Sequence, residues 1–360
     1  MFALIVHGLS NRVFEETIRL LNYLCRFTDV TCTAVGTSCI KPLHDLGLQN
    51  RISFFNHDTM SDAISSLSEQ CEAIICYNES KSWESSNRFR SIIKTRITSV
   101  RCPVLYIDNH NASYLTDYHH AIFEEILEQV AIKLVDTPLR GDYLVREVHG
   151  ALVGENIWIN GNVVGTVVKP NPIIWKDEDN KIKYDGIKPK EHGLFHVGDF
   201  NPIDAKIRTG YSSNQNTRPR CSISNKKPMA SLIDHDAEKG VRYSLHVQYA
   251  VSIGDDTTKN ASSLLYRFSV PIIGITDGDE DGICLEDIRF PGSIVFKVIP
   301  GHDDIVGSEI SHELFKGATT IENPPSINEM ADLIQNLIGD RLVSRYVEPF
   351  HSDEQIDSNS

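Results

Sequence analysis

Short apolar runs closed by polar or turn residues recur along this chain, separated by stretches whose apolar residues fall at helical spacing. In the first 110 residues FALIVHG (2–8), VTCTAVG (30–36), ISFF (52–55), EAIICYN (72–78) and PVLYID (103–108) read as buried strands. Between the first two, residues 11–25 place Val13, Ile18, Leu21 and Leu24 on one helical face, behind Ser10 or Asn11 as N-cap. Residues 58–67 and 85–93 carry weaker helical signals, and 116–134 reads as an amphipathic helix with Ile122, Phe123, Ile126, Leu127 and Val130 on one side. Strands alternating with helices give a parallel sheet covered on both faces. Residues 1–135 are therefore expected to form a Rossmann-like or flavodoxin-like α/β domain.

The remainder divides by composition. Residues 148–210 alternate β-branched residues around Asn160-Gly161, a hairpin signal, and around the polar turn 177–180. They are expected to form a small β module. Residues 211–228 are polar, turn-rich and basic, and read as a linker. No acid occurs between Asp204 and Asp234, whereas Lys206, Arg208, Arg218, Arg220, Lys226 and Lys227 all do. Residues 229–350 return to strand–helix order, with strands at 243–256, 270–282 and 293–304, a capped helix at 257–268, and a helix at 326–345 capped by Ser326. The last ten residues, 351–360, read as a disordered tail. A length of 360 residues suits two or three such domains.

Charge and cysteine usage narrow the function classes. Lys+Arg 35 against Asp+Glu 49 gives a net charge of −14, which disfavours polyanion binding except at a local basic patch. No apolar run is long enough to cross a membrane, and MFALIVHG lacks the basic start of a secretory signal. None of the eight cysteines is spaced C-x-x-C, so they read as small buried hydrophobes in a reducing cytoplasm.

The chemistry is expected at the acidic strand ends of the last domain. Three strands finish in Asp255-Asp256, in Asp277, Asp279 and Asp281, and in Asp303-Asp304. Ligands of open parallel sheets bind outside the carboxyl ends of the strands. Carboxylates crowded there repel one another, and a hard divalent cation relieves that repulsion. Magnesium or manganese is therefore the expected cofactor, held by Asp255, Asp256, Asp277, Asp279, Asp281 and Asp303, with Asp304 and His302 as candidate general bases. Arg218, Arg220 and Lys226 are candidate contacts to substrate phosphate. An EF-hand does not fit, because the position of its bidentate glutamate is Ile288 and a strand precedes the loop. The D-x-D-x-D-G pattern after a strand resembles the acidic motif of Toprim domains, although an aspartate stands here where those domains place a glutamate.

Other residues carry weaker signals. His192 and His196 are four apart, but Gly193 and the turn-rich surroundings argue against a helix there. His119 and His120 are expected on an exposed helix face. No Walker sequence and no G-x-G-x-x-G is present; the loops at Gly8-Leu9-Ser10-Asn11 and Gly36-Thr37-Ser38 close strands where phosphates bind helix N-termini in related architectures.

Through VQYAVSIGDDTT, ASSLLYRFSVPIIGITDGDEDGI and IPGHDDIVGSEI, and through GENIWINGNVVG, KPKEHGL and KIRTG, the chain resembles an archaeal family of methanogens catalogued as domain of unknown function 2117. That resemblance implies an archaeal cytoplasmic setting and centres the site on 253–258, 277–282 and 301–307. The expectation is a magnesium-dependent enzyme acting on a phosphorylated or nucleotide-like small molecule. The alternatives are a non-catalytic ligand sensor and a Toprim-like nucleic-acid enzyme.

Overall fold

The structure, a computed structural model, describes residues 1–54, 57–109, 111–130, 145–177, 179, 181–210, 226–278 and 288–350. The chain divides into two compact units: Met1–Val153, Val167–Ile187 and Asn201–Asp204 make the first, and Gly154–Thr166, Lys188–Phe200 and Ala205–Ser360 the second.

In the first unit, strands β1 (Phe2–His7), β2 (Val30–Ala34), β3 (Ser53–Phe54), β4 (Ala73–Asn78) and β5 (Val104–Asp108) are parallel, and β6 (Ala112–Tyr114) runs antiparallel at one edge. The order β3-β2-β1-β4-β5-β6 contains the 3-2-1-4-5 arrangement of Rossmann folds rather than the 2-1-3-4-5 of flavodoxins. Both faces are covered, as the unbroken apolar runs require. Leu4 and Val6 pack with Phe14, Leu21 and Phe123, from helices α1 (Asn11–Leu24) and α5 (Ile122–Val130). Ala3 and Ile5 face the other way, with Ile64 and Ile93 of α3 (Met60–Leu67) and α4 (Trp83–Arg96). Helix α2 (Ile40–Asp45) completes the set. Cys32, Cys39, Cys71, Cys76 and Cys102 are buried free thiols, and burial pushes those of Cys32 and Cys39 up to about 12. Cys221 and Cys284 lie outside the described residues.

The stretch expected as a β module, 148–210, joins with the short strand Val145–Glu147 just before it to build two small antiparallel sheets and contributes to both units. Strands β7 (Val145–Glu147), β10 (Ile173–Lys176) and β11 (Ile182–Asp185) belong to the first. Strands β8 (Asn156–Ile159), β9 (Asn162–Val167), β12 (Ile187–Pro189) and β13 (Ile207–Gly210) form a sheet ordered β12-β9-β8-β13 that falls mostly in the second. The Asn160-Gly161 hairpin forms between β8 and β9 with φ of 50° and 93°, the left-handed pair that two-residue hairpins favour.

The main sheet of the second unit has parallel strands β14 (Met229–Asp234), β15 (Tyr249–Ile253), β16 (Ile272–Thr276) and β17 (Ile294–Val298) side by side in chain order. Antiparallel β18 (Thr320–Glu322) and β19 (Leu342–Val347) close its two edges. Its helices are α6 (Glu191–Val197), α7 (Ala237–Ser244), α8 (Asp255–Tyr266), α9 (Asp303–Glu313) and α10 (Ile327–Ile338).

Several expected boundaries move. The strand expected over 243–256 is only Tyr249–Ile253, and it is preceded by β14 and α7, which local pattern does not reveal. Helix α8 starts at Asp255, two residues before the expected start, so Asp255 and Asp256 are first-turn residues rather than caps. Asp303 and Asp304 open α9 instead of ending a strand. The helix expected over 326–345 keeps its Ser326 cap, with Glu329 completing a capping box, but stops at Ile338 because Gly339 turns left-handed at φ 55°. Among the described residues no helix is long and apolar enough to cross a membrane.

Candidate metal centre

The parallel order of β15, β16 and β17 puts the ends of three strands side by side, and the acids that follow them meet. Ligand oxygens of Asp255, Asp277 and Asp303 lie within 4.8 Å of one another, and all three residues are buried. Backbone amides fix two of them. Asp255 Oδ2 accepts from the N–H of Asp277 at 3.0 Å and of Gly278 at 3.1 Å, and Asp277 Oδ2 accepts from Gly301 N–H at 2.6 Å. Burial, reinforced by the neighbouring Asp277, pushes the Asp255 carboxyl up to about 6, against the opposing pull of the two amides. Burial also raises Asp303, with Asp277 and Asp304 adding to it. Crowded, buried carboxyls whose pKa is raised are the condition a divalent ion relieves.

The neighbouring acids divide differently from the expected ligand set. Asp256 turns to Lys190, 3.1 Å away. Asp304 joins three histidines: its Oδ2 is 2.6 Å from His192 Nε2, and its Oδ1 is 2.8 Å from His235 Nε2. His196 Nε2 is 3.2 Å from His192 Nε2, and the His196 and His235 rings stack with centroids 4.0 Å apart. One ligand atom from each of these four residues lies within 4.8 Å of every other.

Helix α6 carries His192 and His196 on one face, contrary to the sequence expectation. Gly193, which argued against a helix, is what permits it, because a Cβ there would overlap the Val163 carbonyl oxygen of β9. The glycine lets the helix lie directly on that strand, next to the sheet edge. His235 follows β14, and its Nδ1 meets Asp234 Oδ1 at 2.5 Å. Burial alone would lower the His235 pKa, but the Asp234 bond and charge, with Asp304 and Asp303, outweigh it and the net shift is upward. His196 moves down through burial and the two neighbouring imidazoles.

Both groups open on one cavity of about 260 Å³ whose wall also includes Trp158, Asn162, Lys190, Thr257 and Asn260. His302 is not on that wall; its Nδ1 lies 3.3 Å from the Pro300 carbonyl. Lys226 donates to the carbonyl oxygens of Phe268 and Ser269, at 3.1 and 2.7 Å, just ahead of β16 and thus at the opposite end of the strands from the acids. Lys206 and Arg208 pair with Glu238 at the start of α7. Asp279, Asp281, Arg218 and Arg220 lie outside the described residues.

The first unit's equivalent crevice, at the switch point between β1 and β4, is occupied by the protein itself. Glu79 accepts from Leu9 N–H and Ser10 N–H, each at 3.0 Å, and from Ser10 Oγ at 2.5 Å. A side-chain carboxylate thus sits on the amides where a phosphate sits in dinucleotide-binding relatives of this architecture.

The model of the family described as "uncharacterized protein conserved in archaea", domain of unknown function 2117, matches residues 4–318, and the chain belongs to that family. An uncharacterized protein of Methanocaldococcus jannaschii is 26% identical over 359 aligned residues, covering 94% of this chain and 97% of its own. No solved structure matches.

Proposed function

We propose that this member of the archaeal family is a magnesium- or manganese-dependent enzyme acting on a phosphorylated or nucleotide-like small molecule. The observation that carries the reading is the convergence of Asp255, Asp277 and Asp303, all buried and the first two held by backbone amides, on an open cavity of about 260 Å³. An all-oxygen set drawn from the end of β16 and the first turns of α8 and α9 suits a hard cation, which keeps several coordination positions for water and substrate phosphate. Held by Asp255, Asp277 and Asp303, such an ion would neutralise charge on a phosphate ester and make a nearby water a better nucleophile. Hydrolysis would then exchange the ester P–O bond for a P–O bond to that water, whose proton would pass to the departing alcohol. Lys190, paired with Asp256, adds a cation to the cavity wall.

The test is phosphate release from a panel of nucleotides, sugar phosphates and p-nitrophenyl phosphate, with and without magnesium or manganese. Metal-dependent release, reduced at least about 100-fold by Asp277→Asn, is the expected result. Metal-dependent binding of a panel member without turnover would favour a sensor instead. Cleavage of plasmid DNA, with no release from the small esters, would favour the Toprim-like reading.

A further inference from the structure

The imidazole-rich half of the cavity is chemically unlike the aspartate triad. Three histidines and one carboxylate come from three separate elements: His192 and His196 from α6, His235 from the end of β14, and Asp304 from the first turn of α9. An ion with metal–nitrogen bonds of about 2.0–2.1 Å and tetrahedral angles spaces its ligand atoms about 3.3 Å apart. The His192 and His196 Nε2 atoms stand 3.2 Å apart, close to that edge, while Asp304 approaches His192 and His235 through separate oxygens at the shorter distances of 2.6 and 2.8 Å.

Two further observations point to a metal centre rather than to a hydrogen-bonded network. His235 Nε2 and Asp304 Oδ1 are shielded from solvent, and although 2.8 Å apart they are not aligned to bond, so neither atom has a hydrogen-bond partner. Buried polar atoms are normally satisfied. The opposite nitrogen of His235 is held by Asp234, the carboxylate–histidine arrangement that fixes the tautomer of a metal-bound imidazole and presents its Nε2 outward.

We infer that His192, His196, His235 and Asp304 bind one divalent first-row transition-metal ion of the zinc class, with Asp234 as the residue that positions His235. Imidazole donors select such an ion over magnesium or calcium, which prefer oxygen throughout. The site is distinct from the aspartate triad, although the adjacent Asp303 and Asp304 place the two side by side. It stands whether or not phosphate esters are substrates.

The experiment uses untagged full-length protein stripped with chelator and titrated with cobalt(II) in excess magnesium. One equivalent should bind, give the visible absorption of cobalt in a low-coordinate nitrogen environment, and be displaced by one equivalent of zinc. His196→Ala should abolish the absorption, and Asp234→Asn should weaken zinc binding by about 10–100-fold. Asp277→Asn should leave the absorption intact, which separates this site from the magnesium reading. X-ray absorption at the zinc edge of the wild-type protein should show imidazole scattering from three histidines, a measurement that needs no variant to fold. An oxygen-only zinc shell, binding that magnesium abolishes, or undiminished cobalt absorption in a folded His196→Ala protein would overturn the inference.

Discussion

Two parallel sheets in this molecule meet the same architectural problem at their carboxyl edges and answer it in opposite ways. In the first unit the amides of Leu9 and Ser10, in the turn just before α1, receive Glu79, so a carboxylate of the fold itself sits at that helix N-terminus. In the second, α8 and α9 bring their own first-turn acids, Asp255 and Asp303, to face one another and Asp277. The first edge is matched by a carboxylate of the fold; the second gathers carboxylates and imidazoles on one cavity. Strand order alone does not decide which edge becomes a site. The source of the carboxylates does.

The strongest way to break the second edge is Gly193→Ala. The new methyl group must push α6 off β9, which should cost about 3 kcal/mol and displace both histidines of that helix. Thermal unfolding followed with and without zinc should show a lower Tm and no zinc-dependent rise. A variant with wild-type Tm and zinc response would mean that α6 does not depend on this close approach.

Glu79→Ala probes the first edge. Uncapping the amides of Leu9 and Ser10 should cost about 1–2 kcal/mol. The vacated amides should also make the variant sensitive to anions, so that inorganic phosphate raises its Tm more than that of the wild type. Equal phosphate responses would show that Glu79 is not what closes this crevice.

Smaller effects test the support behind the second edge. Ser326→Ala removes the α10 cap and should lower stability by about 1 kcal/mol in urea unfolding. Arg341 bonds Glu309 at 2.9 and 2.6 Å and holds its carboxyl below the usual range. A depressed folded pKa gives stability that is present above the unfolded pKa and lost as pH falls through the folded one. The Tm difference between wild type and Glu309→Gln should therefore be largest at neutral pH and vanish in acid. With Glu309 38% exposed, solvent screening limits the pair to less than about 1 kcal/mol. A gap that widened in acid would contradict the pairing.

Much of the architecture is written plainly in the chain. The five parallel strands of the first unit, the Asn160-Gly161 hairpin, the Ser326 cap and the acidic ends of β15 and β16 all follow from local pattern. Among the elements the pattern hid, the helices α6, α7 and α9 share a cause. Each carries a glycine, at 193, 240 and 307, which lowers helical propensity in isolation. Each glycine is also where the helix backbone touches its neighbour: a Cβ would run into Val163, Ile233 and Ile253 respectively. Tertiary contact overrides propensity at all three. Losing α6 and α7 meant losing His192, His196 and His235 as a group. The remaining traces were the four-residue spacing of the first two and the Asp234-His235-Asp236 cluster after an apolar run. Neither shows that β14 and α6 end beside the same α9.

His192 and Asp304 are 112 residues apart in the chain. Synthesis runs from the N-terminus, so all three imidazoles leave the ribosome before their carboxylate partner exists. Closing a loop of that length has to wait until enough of the second sheet is in place to offset its entropy. An ion held by all four residues is thus acquired at the end of maturation, not at its start. Metal content then becomes a gauge of completeness: chains that stall before α9 docks can carry the histidines yet lack the full ligand set, and a preparation's zinc stoichiometry would count its fully folded fraction.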